Sequence, residues 1–308
     1  MLAQPPLGLY IHIPWCVRKC PYCDFNSHEA KTDIPEYSYV SKLLADFDHD
    51  YKFVQGRTIK SIFIGGGTPS LFSAQAFSRI LDHLHKTAAL APGLEITLEA
   101  NPGTAEANKF RGFFDAGINR LSIGVQSFSE TNLKLLGRIH DGDQAKAAIN
   151  IAVAAGFSNF NLDLMHGLPD QSEADALADL ETAVGFKPNH LSWYQLTIEP
   201  NTAFYSKPPR LPSDDVLGDI QLAGEALLSS HGYDHYEVSA FSKPEFPSTH
   251  NLNYWRFGDY IGIGAGAHGK LTLTDGSIVR LRKHKQPKHY LANDLSLIAH
   301  KTDVPIQE

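Results

Sequence analysis

The chain has 308 residues, a formal net charge of −7 and a hydrophobic fraction of 43%. This composition is sufficient for a buried core and fits one large domain, or a large domain with a small one. The negative charge argues against a protein that binds nucleic acid through a broad basic face. A local basic run occurs at residues 280–288, and we interpret it as a solvated loop or an edge strand.

Membrane insertion and secretion are also disfavoured. No stretch approaches the ~18 uninterrupted apolar residues of a membrane span, and residues 1–6 lack the charged and apolar regions of a signal peptide. We therefore expect a cytoplasmic protein without stable membrane insertion. The three cysteines lie between residues 16 and 23, which excludes a disulfide framework and favours a metal or redox site.

Runs of β-branched and apolar residues predict six strands in the first 200 residues. These strands are Leu9–Ile13, Ser61–Ile64, Leu94–Leu98, Arg120–Val125, Asn159–Leu164 and His190–Leu196. The intervals between them look helical. Ser127–Glu130 fits a capping box, and an Ala-rich helix is predicted from Asp143 to Ala155 with Gly156 as its C-terminal stop. Ser172 is predicted to cap a further helix that Gly185 closes.

Strands that alternate with helices imply a parallel sheet. An eight-unit barrel needs more chain than residues 1–200 supply, so we predict an α/β fold, a partial TIM-like (β/α)6 barrel. Beyond it we predict a helix over Asp214–Ser230 and several short strands, with a hairpin at Asp275-Gly276. Residues 201–308 should therefore form a small α+β domain.

The cysteines form the pattern C-x3-C-x2-C, at Cys16, Cys20 and Cys23, directly after the first predicted strand. Three thiolates can bind three irons of a cubane cluster and leave the fourth iron open to a chelating ligand. A closed zinc site needs four ligands, and His12 or His28 could supply the fourth. The x3-then-x2 spacing is unusual for zinc, so we favour a [4Fe–4S] cluster.

The sequence Cys-x3-Cys-x-Tyr-Cys resembles the signature of the radical S-adenosylmethionine (SAM) superfamily. The resemblance implies that the cluster binds SAM and transfers an electron to its sulfonium, which gives methionine and a 5′-deoxyadenosyl radical. In a barrel of this type the functional groups lie at the C-terminal ends of the strands. The glycine loop Gly65–Pro69 follows the second predicted strand there, and Glu99 ends the third.

Further motifs resemble one branch of this superfamily from about residue 8 to about residue 285. That branch contains the oxygen-independent coproporphyrinogen III oxidases and the HemW-type haem chaperones. The resemblance implies that Tyr10, Gly66 and Glu99 surround the SAM. Positions that contact a second SAM in the oxidases are matched here by Gly67, Thr68, Gln126, Arg138 and Asp163. The resemblance leaves open whether this chain binds that second SAM.

Two features separate the chaperones from the oxidases. The oxidases carry a further cysteine two residues after the third, and Phe25 occupies that position here, as in the HemW-type group. Residues 250–255, His-Asn-Leu-Asn-Tyr-Trp, match the H-N-x-x-Y-W stretch of the same group. His250 is a natural axial haem ligand, and Tyr254 and Trp255 could cover the porphyrin face. The alternative is that His250 is a satisfied polar residue and the aromatic side chains belong to the core.

The function that the resemblance favours is that of a haem chaperone. Such a protein would bind haem, partly through His250, and deliver it to apo-haemoproteins such as respiratory enzymes. Its cluster would need an electron donor. The rival is an enzyme that decarboxylates two propionates of coproporphyrinogen III to give protoporphyrinogen IX, which Phe25 disfavours. A radical SAM methyltransferase or a haem-degrading relative is the third interpretation. Members of the family run longer, so the resemblance implies a truncated C-terminus.

Overall fold

The computed structural model describes residues 4–54, 56–103, 107–292, 294 and 296–304. Over these residues the strands are β1 (Leu7–Ile13), β2 (Trp15–Cys16), β3 (His28–Glu29), β4 (Ile59–Gly66), β5 (Leu90–Ala100), β6 (Arg120–Gln126), β7 (Phe160–His166), β8 (His190–Gln195), β9 (Asp234–Glu237), β10 (Ala240–Ser242), β11 (Asp259–Ile263), β12 (His268–Thr272), β13 (Ile278–Arg282) and β14 (His300–Val304). The helices are α1 (Glu36–Tyr51), α2 (Ala74–Thr87), α3 (Phe110–Asp115), α4 (Glu130–Leu135), α5 (Gly142–Ala154), α6 (Glu173–Gly185), α7 (Ala203–Ser206), α8 (Asp214–Ser230), α9 (Thr249–Trp255) and α10 (Pro287–Leu291).

Twelve strands form one sheet in the order β14-β13-β12-β11-β1-β4-β5-β6-β7-β8-β10-β9. The six predicted strands are confirmed as β1, β4, β5, β6, β7 and β8, which are adjacent and parallel. Among the described residues β1 pairs with β4 and β11, and β8 pairs with β7 and β10, so the sheet does not close on itself. The predicted α/β fold with a partial (β/α)6 barrel is confirmed.

The two faces of the sheet are chemically different, and β1 illustrates this. Leu9, Ile11 and Ile13 are fully buried in the main hydrophobic core, which they share with the helices. Tyr10 and His12 alternate with them and line a cavity instead. Successive side chains of a strand point to opposite faces, so the helix-covered face is apolar and the opposite face is free to carry polar groups.

Helix α6 begins as predicted and ends differently. Ser172 accepts a hydrogen bond from the Asp175 amide, and the two residues form a reciprocal capping box. The prediction that Gly185 stops the helix is wrong, because Gly185 is its last helical residue. Lys187 makes the left-handed turn that follows, at φ 56°.

The predicted start of α4 needs a similar correction. Ser129 caps the helix by accepting from the Asn132 amide, so the predicted capping box at Ser127–Glu130 is wrong. The Ser127 hydroxyl donates instead to Asp179 at 2.6 Å. This bond joins the end of β6 to α6, a tertiary contact that local sequence rules do not predict.

The C-terminal part continues the same sheet at both edges. Helix α8 spans Asp214–Ser230 as predicted, and the predicted hairpin at Asp275-Gly276 joins β12 to β13. Strands β11 to β14 extend the sheet beyond β1, and β10 and β9 extend it beyond β8. The division into residues 1–200 and 201–308 stays a prediction. In the part of the chain that the structure describes, no helix is both long and apolar enough to cross a bilayer.

The basic run at residues 280–288 is only partly solvated, so our interpretation is wrong for Lys283. Its ammonium is fully buried and lies 2.6 Å from an Asp46 oxygen and 2.7 Å from an Asp50 oxygen. The Tyr290 hydroxyl donates to the second oxygen of Asp46 at 2.7 Å. This buried network joins α1 to the C-terminal strands, and β13 is an inner strand because β14 pairs with it.

We expect Lys283→Met to destabilise the fold by about 3–5 kcal/mol, because it leaves two buried carboxylates without their shared cation. Equilibrium unfolding in urea measures this loss. Arg282→Met is the matched control, since Arg282 is the exposed residue directly before Lys283, at the end of β13, and should change stability by less than about 0.5 kcal/mol. Equal effects of the two substitutions would contradict the structural role of Lys283.

Candidate functional site

The three cysteines lie beyond the C-terminal end of β1, with Cys16 as the last residue of β2 and Cys20 and Cys23 in the loop between β2 and β3. Cys16 is buried, and Cys20 and Cys23 are half-buried. All three line one cavity of about 460 Å³. Strands β2 and β3 bracket the loop and pair in parallel, with Cys16 opposite Glu29. The sequence motif is therefore assembled at the predicted end of the barrel.

The donor set fits a cubane cluster better than a single metal ion. Both ring nitrogens of His12 are engaged at 2.9 Å, one by the Tyr10 hydroxyl and the other by the Asn26 carbonyl. His28 bonds to the Lys285 carbonyl at 3.3 Å. Among the described residues no three His, Cys, Asp or Glu side chains are arranged to hold one ion. A cubane needs no such convergence, because each iron takes its own thiolate.

Burial raises the pKa of the Cys16 and Cys23 thiols, and hydrogen bonds from Thr68 and Ser27 oppose this at Cys16. Without iron these thiols are therefore protonated near neutral pH. Arg138 donates to the Cys20 sulfur at 3.6 Å. Iron binding must release the protons, so cluster assembly is coupled to proton loss.

The glycine loop is bonded directly to the cysteine loop. The Gly67 amide donates to the Ile13 carbonyl at 2.8 Å, and the Thr68 amide donates to the Trp15 carbonyl at 2.7 Å. A Cβ atom on Gly67 would lie 2.5 Å from that Trp15 oxygen, so a side chain is excluded there. The two loops thus border the cavity as one unit.

Two carboxylates of the predicted site, Glu99 and Asp163, line the same cavity. Burial and the nearby Asp163 raise the pKa of Glu99 to about 7, and the hydrogen bond from the Gly66 amide opposes this rise. Burial also raises the pKa of Asp163, although Ser122 and Asn161 donate to its oxygens at 2.9 and 2.8 Å. Ionised carboxylates in such a cavity are stabilised by a cationic ligand.

Gln126 and Arg138 complete the predicted set on the same cavity. Gln126 ends β6 with φ at 71°, a left-handed conformation that is uncommon for glutamine and typical of ligand sites. The Tyr194 hydroxyl donates to its side-chain oxygen at 2.7 Å. Arg138 donates at 2.7 Å to both the Asn101 side chain and the Gly124 carbonyl, which fixes the guanidinium near the cysteine loop.

Tyr10 lies in a second cavity of about 520 Å³, which Tyr254 also lines. Gly66, Glu99 and Phe25 line both cavities, so the two are neighbours. The structure therefore brings together all the predicted cluster and SAM residues around two adjoining spaces.

His250 lines neither cavity, although its ring stacks on the ring of Tyr10 with 6.2 Å between the centroids. It belongs to α9, whose first amides, at Thr249 and His250, donate to the Glu95 carboxylate at 3.1 and 3.2 Å. An acidic group at a helix N-terminus stabilises the helix. Glu95 of β5 thus holds the His-Asn-Leu-Asn-Tyr-Trp segment against the barrel.

The alternative interpretation of this segment is only partly right. His250 is 7% exposed and its ring stacks on Phe63 at 4.4 Å, but its Nδ1 atom has no hydrogen-bond partner among the described residues. Burial and the Arg120 charge lower its pKa to about 3, so the imidazole is neutral. Trp255 is 59% exposed and is not a core residue, and Tyr254 is 41% exposed.

Sequence reasoning missed the inner wall of the first cavity. The polar residues that line it there are Arg120, Ser122, Asn161, His190, Ser192 and Tyr194. They fall on alternate positions of β6, β7 and β8, interleaved with buried apolar residues. That period-two pattern of polar residues within buried strands was the available signal.

An open α/β barrel with three cysteines at one end defines the radical SAM class of proteins. A family model described as the Radical SAM superfamily matches residues 10–183 of the chain. The solved structure of coproporphyrinogen III oxidase (HemN) from Escherichia coli is similar with a TM-score of 0.82 and 25% identity, over 98% of this chain and 73% of that one.

Curated relatives define the family more narrowly. The heme chaperone HemW of Escherichia coli (strain K12) is 58% identical over 94% of this chain and 77% of its own length. The heme chaperone HemW of Haemophilus influenzae is 56% identical, with the same coverage. The chain belongs to the radical SAM superfamily and, within it, to the family of the HemW proteins.

We expect SAM affinity to rise between pH 6 and pH 8, because Glu99, whose pKa is about 7, then becomes an anion that attracts the cationic ligand. Glu99→Gln should bind SAM more weakly at pH 8 and lose most of this pH dependence. Equilibrium binding of SAM to the reconstituted protein across this pH range measures both effects. A pH dependence that persists in Glu99→Gln would assign it to another group.

Proposed function

We propose that this protein is a haem chaperone that carries a SAM-coordinated [4Fe–4S] cluster. The observation that carries the proposal is the 58% identity to a heme chaperone over 94% of the chain. Phe25, which stands where the oxidases have a fourth thiol, supports the same conclusion. Its side chain is 63% exposed and lines both cavities, so it presents an apolar surface where those enzymes present sulfur.

Cys16, Cys20 and Cys23 are the proposed cluster ligands, since their sulfurs border one cavity and no other cysteine occurs in the chain. The cluster, when bound, would supply an electron to SAM at its open iron. Tyr10, Gly66 and Glu99 would surround this SAM. Gly67, Thr68, Gln126, Arg138 and Asp163 are the proposed contacts of a second SAM, and their common cavity supports that assignment.

His250 is the proposed axial ligand of haem. Its imidazole is neutral and its Nδ1 atom lacks a partner among the described residues, which suits a metal ligand. The ring of Tyr254 packs edge-on against it at 4.8 Å, so Tyr254 must move aside to admit haem. The exposed Trp255 would then cover part of the porphyrin.

The wider assignments follow from this function. We propose that haem passes to apo-haemoproteins, respiratory enzymes among them, from a chaperone that works in the cytoplasm and takes electrons from an external donor. Residues 1–200 would hold the cluster and SAM, and residues 201–308 would supply His250 as part of a small α+β unit.

The second candidate is an oxygen-independent coproporphyrinogen III oxidase. The observation that favours it is the TM-score of 0.82 with the HemN structure. A shared fold does not by itself carry the reaction, and the identity to that enzyme is 25% against 58% to the chaperone.

We expect Cys20→Ala to abolish cluster assembly, because two thiolates cannot hold three irons of a cubane. Anaerobic reconstitution followed by iron and sulfide analysis and visible absorption measures the loss. Val17→Ala, a change in the same loop that leaves the thiols intact, should reconstitute normally. Full iron content in Cys20→Ala would refute the ligand set.

Haem binding separates the two candidate functions. The reconstituted protein should bind haem stably, and His250→Ala should weaken binding by about tenfold or more because it removes an iron ligand. Visible absorption titration measures this change. His235→Ala is the control, since His235 is an exposed histidine on β9, the strand at one edge of the sheet.

The same protein, given coproporphyrinogen, SAM and a reductant, should not form protoporphyrinogen. Rapid formation of that product would establish the oxidase instead. Haem binding that is equal in His250→Ala and the wild type would refute the role of His250 while leaving the chaperone function standing.

A further inference from the structure

The innermost part of the first cavity carries the positive charge of Arg120, which has no role in the site described above. Arg120 is the first residue of β6, His190 is the first of β8 and Asn161 is near the start of β7. All three line the cavity. Because these strands are parallel and the cysteine loop lies beyond their C-terminal ends, these residues form the far end of the cavity, here called the cavity floor.

The guanidinium of Arg120 is poorly compensated. The residue is 2% exposed, its Nε atom has no hydrogen-bond partner, and its bond to the Thr97 hydroxyl is long at 3.4 Å. Among the described residues no carboxylate lies within 4.0 Å of it; every ion pair found joins other residues. A buried cation without a paired anion is costly, and native proteins rarely retain one without a reason.

The nearby groups cannot supply the missing anion. Burial raises the pKa of Asp163 and the Arg120 charge is a smaller influence that lowers it, so the two groups attract each other at a distance. The two Asp163 oxygens accept hydrogen bonds from Ser122 and Asn161 and form no contact ion pair with Arg120. The Glu95 carboxylate is committed to the first amides of α9. His190 bonds to Asn161 and to the Tyr236 hydroxyl, both at 2.6 Å, and burial together with the Arg120 charge keeps its pKa well below the usual range, so it is neutral.

The arrangement around Arg120 is rigid as well as unpaired. His190 is held from both ring nitrogens, and Asn161 is held by His190 and by Ser122, whose hydroxyl accepts from the Asn161 amide at 2.7 Å. A floor of fixed polar side chains beneath an unpaired guanidinium is the construction expected of a preorganised anion site.

We propose that the cavity floor is a carboxylate subsite, in which Arg120 pairs with the carboxylate of a ligand that occupies the first cavity. The planar guanidinium matches a carboxylate with two parallel N–H donors. The carboxylates Glu99 and Asp163 lie closer to the cysteine loop, so the cavity is negative toward that loop and positive at its floor. The ligand class is therefore a small organic carboxylate, and one that also carries a cationic group would match both ends.

Two sources of this carboxylate are compatible with the proposed function, on which the inference rests for the identity of the ligand. One is the methionyl carboxylate of the proposed second SAM, since the first SAM would use its own carboxylate to chelate the open iron, and the other is a propionate of a porphyrin. The subsite itself rests on the unpaired guanidinium and not on either ligand.

The test compares the reconstituted wild type with Arg120→Met and Arg120→Lys. We expect Arg120→Met to raise the dissociation constant of SAM or of haem by about tenfold or more, since a charge-assisted pair is lost. If the carboxylate comes from SAM, the wild type and Arg120→Met should bind decarboxylated SAM with equal affinity. If it comes from haem, the two proteins should bind haem dimethyl ester with equal affinity. Arg120→Lys should bind with intermediate affinity, because it keeps the charge and loses the planar fork.

Urea unfolding of the ligand-free proteins supplies an independent readout. Arg120→Met should be at least as stable as the wild type, because it removes an uncompensated buried charge. Arg111→Met, which changes a 68% exposed arginine on α3, is the control for loss of charge alone. A clear loss of stability in Arg120→Met would show a structural role and overturn the proposal. Unchanged affinity for both carboxylate ligands would overturn it as well.

Failure of the proposed function would look different. A wild type that binds neither SAM nor haem would refute that function, and propionate would then test the subsite by itself. The urea midpoint of wild-type unfolding should be higher in sodium propionate than in sodium chloride at the same ionic strength, because propionate binds the folded protein. The midpoint of Arg120→Met should be the same in both salts. Equal midpoints in both proteins would overturn the subsite.

Discussion

Two backbone hydrogen bonds beyond the ends of β1 and β4 determine how the site is assembled. The Gly67 and Thr68 amides donate to the Ile13 and Trp15 carbonyls, so the parallel pairing of the two strands continues into the loops that follow them. The cysteine loop is thereby fixed against the glycine loop. The other groups around the cavity are placed by the parallel register of the adjoining strands, which continue the same sheet.

One face of the sheet packs in the hydrophobic core and stabilises the fold, and the other face carries the polar residues of the candidate site. Alternate residues of β1 enter the apolar core beneath the helices, and those between them face the cavities. On the cavity side, burial raises the pKa of carboxylates and thiols and lowers that of imidazoles. These groups are costly in the ligand-free protein. A cationic ligand near Glu99 and Asp163, iron at the thiols and an anion at Arg120 would each remove part of that cost.

Helix α9 connects this site to the C-terminal part of the chain. Glu95 of β5 holds its N-terminus, and Asn251 of the same helix reaches the first cavity while His250 packs on Phe63. The helix therefore places one residue in the first cavity and the preceding residue against the barrel wall. Burial is the larger cause of the lowered pKa of His250, and the charge of Arg120, which lines the first cavity, adds to it.

The sequence by itself determined the local features. Strand positions, most helix starts, the hairpin at Asp275-Gly276 and the thiol pattern follow from side-chain periodicity, capping and spacing, which act over a few residues. The resemblance of the cysteine, glycine and Glu99 motifs predicted site residues at the barrel mouth, because each motif lies at a recognisable strand end. Errors began where a residue serves a distant partner. Ser127 donates a hydrogen bond to Asp179 instead of capping the helix that follows it. Lys283 belongs to a basic run in the sequence, but its side chain is buried and pairs with carboxylates on α1.

Only the tertiary structure decided the inner wall of the cavity and the burial of His250. Arg120, Asn161 and His190 come from three strands and lie at least 29 positions apart in the chain, and their common cavity exists only once the parallel register is formed. Whether a charge is compensated depends on distances across that register, which no local pattern contains.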